Sequence, residues 1–286
     1  MKNIKKYLVL STVLFAVMAC SSDDDNPVAN NVTLKFNNTF KNTTIVLGDV
    51  TSSLATVNTS EAGQIHHFSE LKYVISHIRL VKTDGVEVPY NVNDLDKGAT
   101  VIDQSKPETL SYLMSNIPVG DYTQIKFGLG VRQELNTLDE VRFPNFYSTA
   151  GANDTAMHWE WGSGYRFTKI EGFYGADNKV LSIHTGSTVE GDIDDESSYT
   201  QGVDAYRNVV LDLTTAAMVS DKAPIINIKA DFNKLLSGQS TTIELGEGNA
   251  VPSVHTAANM VIFVDNIGGN GSTDTSGMFS ISSVEN

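Results

Sequence analysis

The chain has 286 residues, 41% of them hydrophobic and 19% charged, with 34 acidic against 20 basic side chains, a formal charge of −14 and a single cysteine. That apolar fraction is enough for a packed core and argues against a wholly disordered chain. One cysteine leaves no internal disulfide framework and no thiolate zinc cluster, and the acidic balance argues against a nucleic-acid partner, which needs a basic surface to displace counterions.

The first predicted element is a leader. Lys2, Lys5 and Lys6 precede an apolar run from Tyr7 to Ala19, broken only by Ser11 and Thr12. The run is too short to span a bilayer comfortably and reads as a signal peptide over residues 1–19. It ends in Val17-Met18-Ala19-Cys20, which resembles the bacterial lipobox, so Cys20 is expected to carry lipid after cleavage. Residues 20–31 then read as a flexible tether. Its opening Ser21-Ser22-Asp23-Asp24-Asp25 resembles the surface-export signal of Bacteroidetes lipoproteins. The expected location is the outer membrane, on its periplasmic or cell-surface face, with the membrane touched through the lipid alone.

From Val32 onward the dominant hydrophobic period is two, the period of half-buried strands. Val32, Leu34 and Phe36 alternate with polar residues, and Thr44–Leu47 and Lys72–Val81 are further strand candidates. Ile125, Phe127, Leu129 and Val131 share one face of residues 124–131. Gly164–Glu171 and Lys179–His184 follow, then Val209, Leu211 and Leu213, then Ile226, Ile228 and Ala230. Turn chemistry separates them at Thr83-Asp84-Gly85, Pro118-Val119-Gly120-Asp121 and Ala176-Asp177-Asn178. Thr109–Ser115 and Asp231–Leu236 are read as short helices. The expected fold is all-β, an antiparallel β-sandwich with few short helices, forming one domain over residues 32–286.

Enzyme signatures are missing: there is no H-E-x-x-H, Walker loop, G-x-S-x-G or dinucleotide fingerprint, so the chain reads as a non-enzyme. Glu190 to Glu196 is acidic but lacks the EF-hand register, and a solvated loop is the plainer reading. The histidines are His66, His67, His77, His158, His184 and His255. Taken singly, each is more often a surface or hydrogen-bonded residue than a ligand. His66 and His67 are placed at a loop before a strand. If extended, they would point to opposite faces and could not share one metal. Residues 157–172 are the densest segment, holding Met157, His158, both tryptophans (Trp159 and Trp161), Gly164, Arg166 and Glu171. A core tryptophan pair on a Gly-rich hairpin would account for it, with Arg166 and Glu171 paired behind. So would an exposed aromatic platform for a glycan or protein partner on a metal-free surface lipoprotein.

The same segment resembles the W-x-W-x-x-G-Y-x-F-x-x-x-E-G motif of the MbnP-like family of bacterial copper-binding proteins. The resemblance extends over most of the chain. Phe68–Leu80 is similar to the family's early strand, usually ending S-N-I-R-L, with His77 in place of the Asn. Ile117–Tyr122 and the following I-K-F-G-L-G-V resemble its central hairpin, and His184-Thr185-Gly186 its H-x-G strand end. Asp231-Phe232, His255, Asp265-Asn266 and Met278-Phe279 fit its closing pattern. The resemblance implies Cu(I) held by two imidazoles, with His184 and His255 as ligands and His158 as a third candidate. Met157 is an available thioether. It also implies a di-haem peroxidase partner that oxidises a tryptophan beside the site to kynurenine. Here Ser182 and Ile183 occupy the places before His184, so Trp159 and Trp161 are the only indoles such a partner could meet. Imidazole suits copper, and with the lone thiolate assigned to lipid the histidines are the main soft donors left.

Overall fold

The computed structural model describes residues 30–136, 141–150, 157–159, 164–192, 195–238, 241–246, 253–254 and 257–286. The leader, Cys20, Trp161 and His255 lie outside them. In chain order the first strands are β1 (Val32–Phe40), β2 (Thr43–Thr44), β3 (Asn58–Thr59), β4 (Ile65–Lys82) and β5 (Glu87–Pro89). Helix α1 (Leu95–Gly98), β6 (Thr100–Asp103), β7 (Ser111–Met114), β8 (Gly120–Leu129) and α2 (Pro144–Ala150) follow. Then come β9 (Thr168–Tyr174), β10 (Lys179–Thr185), β11 (Val189–Glu190), β12 (Thr200–Gln201), β13 (Arg207–Val219) and β14 (Ile225–Asp231). The chain closes with α3 (Asn233–Leu236), β15 (Ser253–Val254), α4 (Ala257–Gly268) and β16 (Phe279–Glu285).

Two sheets form an all-β sandwich with no closed barrel. One has the order β16-β14-β1-β2, with β7 also paired to β1. The other runs β13-β8-β4-β9-β10-β15, with β3, β5 and β6 also paired to β4. Most pairs are antiparallel, but β1–β14 and β10–β15 are parallel. Alternation puts one face of each strand inside: Leu34 and Phe36 in β1, Ile125 and Phe127 in β8, and Ile226 and Ile228 in β14 are buried. Between the sheets, Phe36 meets Tyr73 and Phe127 edge-on, at centroid distances of 6.2 and 6.5 Å. Phe127 in turn meets Phe279 at 5.0 Å.

β4 is the spine. Its first half pairs with β9 and its second half with β8. The handover is at Val74, whose N–H donates to the Phe167 carbonyl and whose carbonyl accepts from the Gly130 N–H, both at 2.9 Å. A strand residue's N–H and C=O point to the same side, so β8 leaves and β9 enters along one edge of β4. At this fork Gly130 adopts φ +99, and a Cβ there would lie 2.3 Å from the Phe167 ring. Val74 faces away from the inter-sheet core into a second cluster with Val101, Phe146, Met157, Tyr165 and Phe167. Met157, Tyr165 and Phe167 of the motif segment thereby pack on the outside of the larger sheet.

Several expectations change. Residues 111–114 are strand β7, with a 3-10 turn only over Pro107–Leu110. β7 pairs with β1 through Val32↔Met114 to Lys35↔Ser111, and that edge pairing outweighs local helix preference. Of residues 44–47 only Thr44 is strand. His66 and His67 lie within β4, not in a loop. Residues 164–167 precede β9 and form only an isolated bridge, His158↔Tyr165.

Candidate metal centre

His184 stands near the end of β10, one residue before Thr185 closes the strand, and is buried. Alternation sends Leu181 and Ile183 into the core and Ser182 and His184 to the other face. On the neighbouring strand β9 the register is Ser182↔Glu171 and His184↔Lys169, so Glu171 lies diagonally from His184 on the same face. His184 Nε2 and Glu171 Oε1 are 2.5 Å apart, and Ser182 Oγ donates to the same oxygen at 3.2 Å. The expected Arg166–Glu171 pairing is not what forms around Glu171: its carboxylate is engaged by His184 and Ser182. The Arg166 guanidinium instead lies over the Trp159 ring, 4.7 Å from its centroid.

Trp159 is the side chain that the sequence places 25 residues from His184 and the fold places against it. Their ring centroids are 6.3 Å apart at an interplanar angle of 57°. Trp159 is buried, which removes it from any exposed stacking platform. The approach depends on Gly186, where a Cβ would lie 2.9 Å from Trp159 Nε1 and 2.8 Å from the Tyr165 carbonyl oxygen. The glycine of the H-x-G strand end is therefore the space in which the indole lies. The hairpin arms are fixed by Trp159 N–H donating to the Gly164 carbonyl and Arg166 N–H to the Met157 carbonyl, at 2.9 and 2.8 Å.

His158 is held in other surroundings. Its ring meets Tyr147 and Tyr165 edge-on at 5.0 and 5.2 Å, and Nδ1 lies 3.0 Å from the Trp159 carbonyl oxygen. Met157 is fully buried in the same outer cluster. His66 is buried between Phe40 and Phe68, with ring centroids at 5.2 and 5.4 Å. His67 faces Phe173 on the opposite side. His77 sits at a bulge of β4, where its Nδ1 is 2.9 Å from the Tyr206 hydroxyl.

His255 falls outside the described residues, but the strand before it, Ser253–Val254, does not. β15 pairs in parallel with β10 through Ser182↔Ser253 and Ile183↔Val254. One bond further along each chain come His184 and His255.

Among the described residues no group of three or more His, Cys, Asp or Glu could hold a metal ion. Hard cations such as Ca²⁺ take six or more oxygen ligands, and among the described residues no such carboxylate group is gathered. His184, buried beside the Trp159 indole, offers an imidazole of the kind a soft ion accepts.

Residues 29–256 match the protein family MbnP. Among solved structures, MbnP from Methylosinus trichosporium is similar to this chain with a TM-score of 0.54 at 15% sequence identity. That alignment covers 88% of this chain and 97% of the other, and at such identity it speaks for the fold. No curated protein matches.

Proposed function

The chain belongs to the MbnP family, and on that premise we propose that it is a lipid-anchored, extracytoplasmic protein that binds Cu(I) through His184 and His255 for copper uptake or handling. The observation that carries this reading is the β10–β15 register, which brings the residue before His255 alongside the residue before His184. Imidazoles supply the neutral nitrogen donors that copper takes, and the burial of His184 limits access of water. His158, packed between two tyrosines, is assigned to packing. Trp159, against His184, is the indole that a di-haem peroxidase partner would oxidise, in contrast to an indole two places before the histidine in sequence.

The test is metal analysis and Cu(I) competition titration on protein without a histidine tag. One copper per chain is expected. His184→Ala or His255→Ala should each lower affinity by orders of magnitude, while His158→Ala should change it by less than about tenfold, because a two-coordinate ion cannot spare a ligand. Stoichiometric copper in the His184/His255 double variant would refute the assignment. A mass spectrum after exposure to the peroxidase would show kynurenine at Trp159 as one oxygen gained and one carbon lost. Labelling with a radioactive fatty acid should mark the wild type and not Cys20→Ser, which tests the anchor.

A further inference from the structure

Glu171 lies 2.5 Å from His184 Nε2 and also accepts from Ser182. A carboxylate can only accept, so at this contact the proton is on Nε2, whether the ring is neutral or charged. In the neutral ring the lone pair is then on Nδ1. The residue types on this face serve that arrangement. Ser182 and Glu171 are direct cross-strand partners, which fixes the carboxylate, and His184 is the diagonal neighbour within its reach. The other cross-strand partner of Glu171 is Glu70 on β4. Lys169, next but one on β9, pairs with Glu70 at 2.8 Å, and Lys72 pairs with Glu70 at 2.5 Å, so neither lysine competes with the imidazole for Glu171.

The geometry points to Glu171 as the positioning residue of the site: it holds His184 in the Nε2–H form, so that Nδ1 is the atom that meets the metal. The inference rests on the Cu(I) reading above and adds the donor atom and the residue that sets it. A carboxylate behind a ligand imidazole also raises its basicity and fixes its rotation, an effect commonly worth 10–100-fold in metal affinity.

The experiment is long-range ¹H–¹⁵N correlation NMR of the histidine side chains at pH 8, on the metal-free protein and after one equivalent of Cu(I), which is diamagnetic. The metal-free wild type should show His184 in the Nε2–H pattern. On loading, Nδ1 should shift and Nε2 should remain protonated. Glu171→Ala should give a tautomer mixture and bind Cu(I) about 10–100-fold more weakly. Glu171→Gln, which still accepts through its amide oxygen, should keep the tautomer and lose less affinity. An Nδ1–H pattern in the metal-free wild type, or loss of the Nε2 proton on loading, would overturn the inference. So would Glu171→Ala with unchanged tautomer and affinity. The metal-free spectrum reads Glu171 without copper. A wild type that shows the Nε2–H pattern but binds no copper would therefore fail the site reading and the donor assignment, while leaving the Glu171 hydrogen bond standing.

Discussion

Two histidines outside the proposed site make the fold sensitive to acid. Burial lowers the His66 pKa from 6.5 to about 4, against a smaller opposing contribution from the Gln64 carbonyl. His77 is also lowered to about 4, by burial first and then by Arg79 and Arg132, with Glu134 and Glu87 opposing. Both rings are neutral in the native state and take up a proton more readily when unfolded. Their contribution is therefore complete above pH 6.5 and is lost as pH falls towards 4, at most roughly 3 kcal/mol for His66. Urea midpoints at pH 7 and pH 4.5 should differ accordingly. His66→Phe should flatten that difference and be neutral or stabilising at pH 7, because it removes a buried nitrogen with no hydrogen-bond partner. His77 carries a second constraint, φ +50. Asn and His tolerate that left-handed conformation better than most residues, which explains how one stands where the family's motif has the other. His77→Asn should therefore be tolerated, while His77→Ala should cost about 1 kcal/mol more in the same denaturation assay. Residues 72–81 of β4 were readable as strand from the sequence, although Leu71–Ser76 are all buried and show no period there. The αL bulge was not, since nothing in the identity of a histidine announces its φ.

The strands with clean alternation, β1, β8 and β14, were legible because one face is buried and the other is not. Where that asymmetry fails, the reading failed. β7 carries Tyr112 and Leu113 on an edge and looked helical, and β13 loses its alternation between Asp212 and Ala217, where the register shifts. α4 was overlooked although its signal is present: Met260, Phe263, Val264 and Ile267 recur at helical spacing and all are buried. At the site, the Glu171, Ser182 and His184 face follows from strand period once β9 and β10 are paired. Trp159 against His184 does not, because it depends on a hairpin folding over the fork at Val74. That fork gives a test of element geometry. Gly130→Ala combines a positive φ with a contact on Phe167 and should cost about 3 kcal/mol. Thermal unfolding would measure it. Gly186→Ala should push the indole away from His184, visible as a changed tryptophan emission and weaker copper binding with little loss of strand content.

At the scale of the whole molecule the decisive element is β1. It lies between β14, paired in parallel from Thr33↔Ile225 to Thr39↔Asp231, and β7 and β2 on its other side. A chain beginning at Asn30 should fold, because the Asn30 carbonyl already accepts from Ile117 N–H and every strand pairing among the described residues follows it. A chain beginning at Lys41 should not give a cooperative transition, since it opens the middle of the smaller sheet. Circular dichroism with urea would separate the two. Alternation identified β1 as a strand but not its partner, because a hydrophobic period carries no information on which strand lies alongside or in which direction. Residues 1–19 hold Lys2, Lys5 and Lys6 and no acidic residue, so residues 20–286 carry 17 basic against 34 acidic side chains, a net charge of −17. The β1–β14 pair also fixes a schedule. The two strands are separated by about two thirds of the chain, so a polypeptide emerging N-terminus first holds the β14 edge of β1 unmatched until residue 231 has arrived. Closure of so distant a contact is slow, and the exposed strand edge invites wrong pairings in the interval. The late arrival of β14 therefore makes the smaller sheet the last part of the fold to close.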